Sequence, residues 1–461
     1  MKCVGCGAEV FFDPKTKKIK CEYCGLEADP SKYDNKSKKA KESTTKVSDK
    51  IEMKSYGCSQ CGAKMLVFDD TAVTFCSYCG SSMIIEPKLY KEKRPEYIIP
   101  FTITKEECEE LYKKKVSKFL LAPDNMKEDI TIKKFRGIYM PYAIYNAEHH
   151  GVQENKGEKY SHRVGDYVYY NDYLIAADVD AEYNGISYDL ASNFYDKFSN
   201  AIAPFDFNKV EPFNTSYLSG YYADSRDVDT DTYETQAELV ATPIARTALS
   251  KVKEFRKYGC SIPQLSLIAS DAKVAYYPVY FLAIRNKNED SVSYAVVNGQ
   301  TGKIAVEMPI DFKKYLFMTL IIAVPLFILL NFIFTLTPTV LVITGLVFLT
   351  IILVYSIFQN GSLSKKENYT DDVGYQNVKK KLNIDTKLIK TKKNYLKEIL
   401  AIIISIVVLI LNPVEDMIYY GAIMVSFALA LLSIKDLVQR YNELTTRKLD
   451  QLGIRGGDES E

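Results

Sequence analysis

The chain has 461 residues, with 59 Lys and Arg against 58 Asp and Glu, for a formal net charge of +1. That balance excludes binding to nucleic acid through bulk charge. The length allows about three domain-sized units. Tryptophan is absent, and 35 tyrosines and ten cysteines stand out.

Eight of the ten cysteines form a doubled cassette at the front of the chain. Cys3-x-x-Cys6 and Cys21-x-x-Cys24 are separated by fourteen residues, and so are Cys58-x-x-Cys61 and Cys76-x-x-Cys79. Gly7, Gly25, Gly62 and Gly80 follow the second cysteine of each pair. Two thiolates on one tight turn can reach a Zn²⁺ at about 2.3 Å, and a second turn completes a closed Cys₄ site. The glycine permits the positive φ such a turn needs. The copies align beyond the cysteines: Thr16 matches Thr71, and Cys21-Glu-Tyr23-Cys24 matches Cys76-Ser-Tyr78-Cys79. The expectation is therefore two β zinc ribbons in tandem, residues 1–28 and 55–86, each with one structural Zn²⁺. A disulfide framework is the alternative. It is disfavoured in a reducing cytosol, which is expected here because no secretory signal precedes Met1-Lys2-Cys3. A cross-braced pairing between the copies also remains open.

Residues 29–54 read as a flexible, solvated polar linker, whose Lys36, Lys38, Lys39 and Lys41 could touch phosphates or anionic lipid. Residues 87–311 read as an α+β cytoplasmic domain. Thr104-x-x-Glu107 forms a capping box. The helix behind it would bury Cys108, Leu111, Tyr112, Val116, Phe119 and Leu120. A second helix is expected over residues 229–257, with Tyr233, Ala237, Val240, Ile244, Ala248, Val252 and Phe255 on one face. Strands are expected around residues 138–144, 160–182, 274–284 and 291–297. Asn298-Gly299-Gln300-Thr301-Gly302-Lys303 reads as turn chemistry, not a phosphate loop.

The last third reads as membrane. Residues 315–336, 340–358, 396–411 and 417–434 are apolar runs near the length that crosses a bilayer, giving four transmembrane helices in two hairpins (312–358 and 395–435). A cytoplasmic loop (359–394) and tail (436–461) complete the plan. The turns near 337–339 and 412–416 contain no Lys or Arg, whereas the opposite side is rich in lysine, which places both termini in the cytoplasm. No charge lies mid-span, which favours an anchor over a transporter.

Chemistry elsewhere is sparse. His149 and His150 are adjacent on a strand and point to opposite faces, a poor metal pair. Asp178, Asp180 and Glu182 could form a cation site or a solvated strand face. Tyr167, Tyr169, Tyr170 and Tyr173 could stack on bases, bind a peptide or pack in a sheet. No catalytic triad order, Walker sequence or dinucleotide fingerprint appears, so no enzyme activity is expected.

The tandem ribbons together with Ile99-Pro100-Phe101, Gly137-Ile138-Tyr139-Met140-Pro141-Tyr142, Tyr277-Pro278-Val279-Tyr280 and the Asn298–Lys303 turn resemble the bacterial TFIIB-type tandem zinc-ribbon membrane proteins. The resemblance covers roughly residues 1–311, and Ala143 and Tyr280 stand where family members often carry tryptophan. It implies a membrane-anchored adaptor in an envelope-stress system, with a PspA-like or an SPFH-domain protein as partner. The alternative is a membrane-tethered nucleic-acid binder acting through the ribbons.

Overall fold

In the computed structural model of this chain, the described residues are 1–33, 50–68, 73, 75–82, 87–258, 260, 265–270, 272–286, 291–333, 337–381 and 395–448. Lys36, Lys38, Lys39 and Lys41 of the expected linker, Thr71 of the repeat, residues 382–394 of the expected loop and the tail after 448 lie outside them.

The first sheet follows from alternation. β1 (Val10–Asp13) and β2 (Lys18–Cys21) pair with Val10 opposite Cys21 and Phe12 opposite Ile19, and these four side chains are buried. β3 (Glu27–Ala28) completes the three strands. This small sheet is docked on the body: Phe12 N donates to Ser219 O at 3.0 Å, and Ser216 Oγ donates to Pro30 O at 2.8 Å.

The second cassette is built differently. Its strands β4 (Lys50–Gly57) and β5 (Lys64–Val67) join β6 (Lys88–Lys93) and β7 (Tyr97–Ile98) in one large sheet with the rest of the body. β4 thus begins inside the segment expected to be linker. Through β4 and β5 the second cassette shares a continuous sheet with the body.

β8 (Arg136–Val164) and β9 (Tyr167–Asp189) form a hairpin of 29 and 23 residues. Its base is buried, while Tyr160, Tyr167, Tyr169 and Tyr170 near its tip are exposed. β10 (Glu211–Pro212), β11 (Tyr222–Asp224) and β12 (Ile268–Ala269) are short additions. β13 (Lys273–Asn286) pairs with β8 through its first part and with β14 (Ser291–Asn298) through its second. All eight residues of β14 are buried, as in a strand covered on both faces. β15 (Ile304–Val306) and β16 (Arg447–Lys448) both pair with β14.

The segments that carry the family resemblance meet in one aromatic knot. Phe101 stacks on Tyr221 at 4.2 Å and meets Tyr139 and Tyr280 at 5.0 and 4.8 Å. A Cβ on Gly299 would sit 2.5 Å from the Phe101 ring, so only glycine fits there. Asn298 Oδ1 accepts from Gln300 N and Thr301 N, both at 2.9 Å, which closes the turn.

α1 (Lys105–Ser117) has the expected capping box and buries Cys108, Tyr112 and Val116. It ends before Leu120, which is 63% exposed. The helix expected over 229–257 is interrupted: α2 (Asp196–Ile202) precedes it, α3 (Glu234–Leu249) is its main part, and Lys253–Lys257 is a separate turn. The buried face of α3 is Ala237, Ala241 and Ala245, while Val240 and Ile244 are exposed. Small side chains let the helix approach β8 closely, and this turned the stripe away from the larger aliphatics.

α4 (Phe312–Ile333), α5 (Pro338–Glu367), α6 (Val373–Lys381), α7 (Leu396–Leu411) and α8 (Asp416–Thr445) make up the last third. Among the described residues, two of the four expected spans, α5 and α8, are long and apolar enough to cross a membrane. α7 has 16 residues, short of the roughly 20 a hydrocarbon core needs. Phe348, Phe358, Met424 and Phe427 are all more than 60% exposed, so these helices present an apolar outer surface. Ser405 and Ser426 lie 3.3 Å apart between α7 and α8, and Lys397 pairs with Asp436 at 2.7 Å.

The expected loop and tail also differ from expectation. α6 packs on the body: Asp196 Oδ2 accepts from Val373 N at 2.7 Å, and Lys381 pairs with Asp229 at 3.0 Å. β16 returns the chain to the central sheet, with Arg447 opposite Val292. Periodicity could not show these long-range pairings.

Glu92 on β6 is buried beside Arg226 and Tyr276, and burial pushes its carboxyl up to about 7 despite the guanidinium. A carboxyl raised on folding stabilises the fold at low pH, and this contribution is lost as pH rises from about 4.5 to 7. The expected outcome is a fall in thermal stability of the full-length protein over that window, on the order of 3 kcal/mol from Glu92. Glu92→Gln should flatten this slope in melts followed against pH.

Candidate metal centres

Each of the eight cysteines sits in the same local turn. The first cysteine of each pair donates its N–H to the carbonyl five residues on: Cys3 to Ala8, Cys21 to Leu26, Cys58 to Ala63 and Cys76 to Ser81, at 2.7–3.0 Å. Its carbonyl accepts from the glycine: Gly7, Gly25, Gly62 or Gly80, at 2.8–2.9 Å. These glycines have φ of 75°, 72°, 71° and 68°, as their position after each pair predicts. The curl also turns amides toward sulfur: Gly5 N donates to Cys3 Sγ and Tyr78 N to Cys76 Sγ, both at 3.4 Å.

The four turns assemble as two groups within the copies, not across them. Cys3, Cys6, Cys21 and Cys24 form one group, and Cys58, Cys61, Cys76 and Cys79 the other, with sulfurs within 4.8 Å of one another. The closest pairs are Cys3–Cys24 and Cys6–Cys21 at 3.6 Å, Cys58–Cys79 at 3.5 Å and Cys61–Cys76 at 3.6 Å. A zinc tetrahedron with 2.3 Å bonds has an edge of about 3.8 Å. Disulfide sulfurs lie about 2.05 Å apart, so these are not disulfides. Both groups suit zinc.

Charge makes the same point. The Gly5 and Cys6 amides hold the Cys3 thiol down to about 6. In the second group the thiols compete: Cys58 is pushed down by the Cys61 thiol, while Cys61 and Cys76, facing Cys58, are pushed up. Four thiolates at this spacing repel one another, and a divalent cation is what lets all four ionise.

The two groups differ in surroundings. In the first, Cys6 and Cys24 are exposed, and Tyr23 is 85% exposed between them on the surface. In the second all four cysteines are buried, and Tyr78, the counterpart of Tyr23, is 4% exposed. Tyr78 donates to the Asp224 carboxylate and its ring packs on Phe281 at 5.2 Å.

The other candidates separate. His149 faces Ser266 O at 3.2 Å, whereas His150 lies on the opposite, exposed face beside Asp180. Glu148, His150 and Glu182 bring ligand atoms within 4.8 Å of one another, all exposed. Sequence reasoning missed Glu148, because only the register that sets Glu148 opposite Glu182 reveals it. Asp178 lies outside that group. Tyr173 packs on Tyr258 at 4.7 Å, and the more exposed Tyr169 stacks on His162 at 4.8 Å. Cys108 is a core thiol pushed up by burial.

Among curated proteins the chain is similar to one described as "Uncharacterized protein YdjG" from Bacillus subtilis (strain 168), 26% identical over 317 residues, which is 68% of this chain and 91% of that protein. No family model matches the chain. No solved structure matches it.

Elemental analysis of the purified full-length protein should find two zinc atoms per chain. Cys76→Ser should lose one zinc and lower the melting temperature of the body by roughly 10 °C or more, since that site is built into the sheet. Cys24→Ser should also lose one zinc but leave the main transition within a few degrees, because that site lies in the docked small sheet. Equal effects of the two changes would contradict the difference in burial.

Proposed function

We propose that the chain is a membrane-anchored adaptor that holds cytoplasmic protein partners at the inner face of the cell membrane. The observation that carries this reading is the divergence of the two cysteine repeats. One is sunk into the body and serves it. The other offers Val4, Tyr23 and Leu26, which are 73%, 85% and 36% exposed, around its turns. Aromatic residues held rigidly at a surface are the usual anchors of protein recognition. In this reading both repeats are Cys₄ zinc ribbons of structural role. The helices α4, α5, α7 and α8 form four spans in two hairpins, and both termini are cytoplasmic. By the resemblance noted above, the partner is a PspA-like or SPFH-domain protein of an envelope-stress response.

A nucleic-acid reading is favoured by one feature: the exposed lysines Lys15 and Lys17 in the β1–β2 turn and Lys18 at the start of β2, in the first ribbon. Phosphate-driven binding would weaken steeply with salt.

The test uses the full-length protein in detergent with purified PspA-like and SPFH-domain proteins. Co-purification with the intact chain should be lost in Tyr23→Ala with its melting temperature unchanged. Tyr78→Ala should instead cost about 3–5 kcal/mol of stability, as for a deleted core aromatic. Retention of every partner by Tyr23→Ala would sink the adaptor reading, and salt-sensitive capture of DNA or RNA would replace it. Topology is tested with reporter fusions: alkaline phosphatase should be active when joined at 338 or 413, and only a cytoplasmic reporter should be active at either terminus.

A further inference from the structure

A cavity of about 370 Å³ lies where the ends of α5 and α8 meet the body. Three cations line it: Lys197 on α2, Lys365 on α5 and Arg447 on β16. Lys366 on α5 also reaches the wall, but burial disfavours its charged form. Asp371 and Asp372 are the opposing charges in its wall. Asp372 is occupied as the cap of α6, accepting from Tyr375 N at 2.8 Å.

Arg447 is the unusual group. It is 3% exposed and pairs through Nη1 with Glu307 at 3.3 Å, over the Tyr195 ring. Its buried Nε–H has no hydrogen-bond partner. A buried donor left unmade costs about 1–3 kcal/mol, so a guanidinium held this way in a cavity wall points to an acceptor from outside. Lys197 and Lys365 are exposed at the mouth, and neither forms an ion pair among the described residues. The carbonyl end of α8 would repel an anion. Lys366 offsets that by donating to Glu443 O and Thr446 O.

We propose that this cavity binds a phosphate-bearing anion through Lys197, Lys365 and Arg447. Two sources carry that chemistry: the headgroup of an acidic phospholipid, or a free phosphate compound. The membrane reading of α5 and α8 bears on the source, because it sets the cavity at the cytoplasmic boundary of the bilayer. The site itself does not depend on it.

The experiment uses delipidated full-length protein in detergent micelles, with dioleoylphosphatidylglycerol, dioleoylphosphatidylcholine or inorganic phosphate added. Binding is read by native mass spectrometry and by melting temperature. A headgroup site gives one tightly held phosphatidylglycerol, a raised melting temperature and no such effect of phosphatidylcholine. Lys197→Gln/Lys365→Gln should weaken that binding roughly ten- to thirtyfold while leaving the lipid-free melting temperature unchanged. A phosphate effect lost in the same variant, without a lipid effect, supports the site with a soluble source. No binding of either probe, or wild-type affinity in the double variant, overturns the proposal, and neither result touches partner capture through Tyr23.

Discussion

Four sulfurs held within 4.8 Å of one another in a buried setting can all be thiolates only around a cation. At Cys58, Cys61, Cys76 and Cys79 that condition falls inside the main sheet. β5 has only four residues, and the turn between it and β4 has no hydrophobic core of its own. Metal binding would supply what these strands lack and hold Tyr78 against Phe281 and Asp224. β11, which carries Asp224, bridges β5 and β8, so the site reaches the central strands through one intervening strand. This edge of the sheet is thus built around a cluster that the sequence shows as four cysteines of the second repeat.

The same local turn serves two ends because its setting changes. The hydrogen bonds of the four turns are alike to within a few tenths of an ångström. What differs is the neighbour. In the first copy the three-stranded sheet touches the body through residues 214–220, leaving two sulfurs and Tyr23 at the surface. In the second, strands on both sides close over the cluster. One copy of the duplicated module keeps a solvent-facing side. The other is free to become part of the scaffold.

Local chemistry was legible in the sequence, and long-range pairing was not. The cysteine spacing, the trailing glycines, the Thr104 capping box and the Asn298 turn each act within a few residues, and each forms as expected. The stripe on α3 misled because hydrophobicity favours Val240 and Ile244, whereas close approach to β8 favours Ala237, Ala241 and Ala245. The linker boundary failed at Lys50 because strand pairing with β6 orders a polar stretch that has little apolar content. Of the apolar runs, α5 and α8 are long and apolar enough to cross a membrane, while α7 keeps the 16 residues that its run marked in the sequence. Glu148 joined His150 and Glu182 only through hairpin register, which no motif encodes.

The return of the chain to the sheet has a consequence for anchoring. α8 runs without a break to Thr445, and β16 follows at once, pairing Arg447 with Val292 on fully buried β14. Asn442 exchanges two hydrogen bonds with Ile310, at 2.7 and 2.9 Å, just before α4 begins. The apolar helices are thus joined to the body at both ends of the last third, by packed contacts and not by a loose tether. A flexible anchor would leave the body free to turn relative to the helices. Here the exits of α4 and α8 are fixed to one strand, so a membrane holding those helices would also set the orientation of the body. The exposed Tyr23 would then face a fixed direction, which lowers the ordering cost of binding any partner assembled on the same surface.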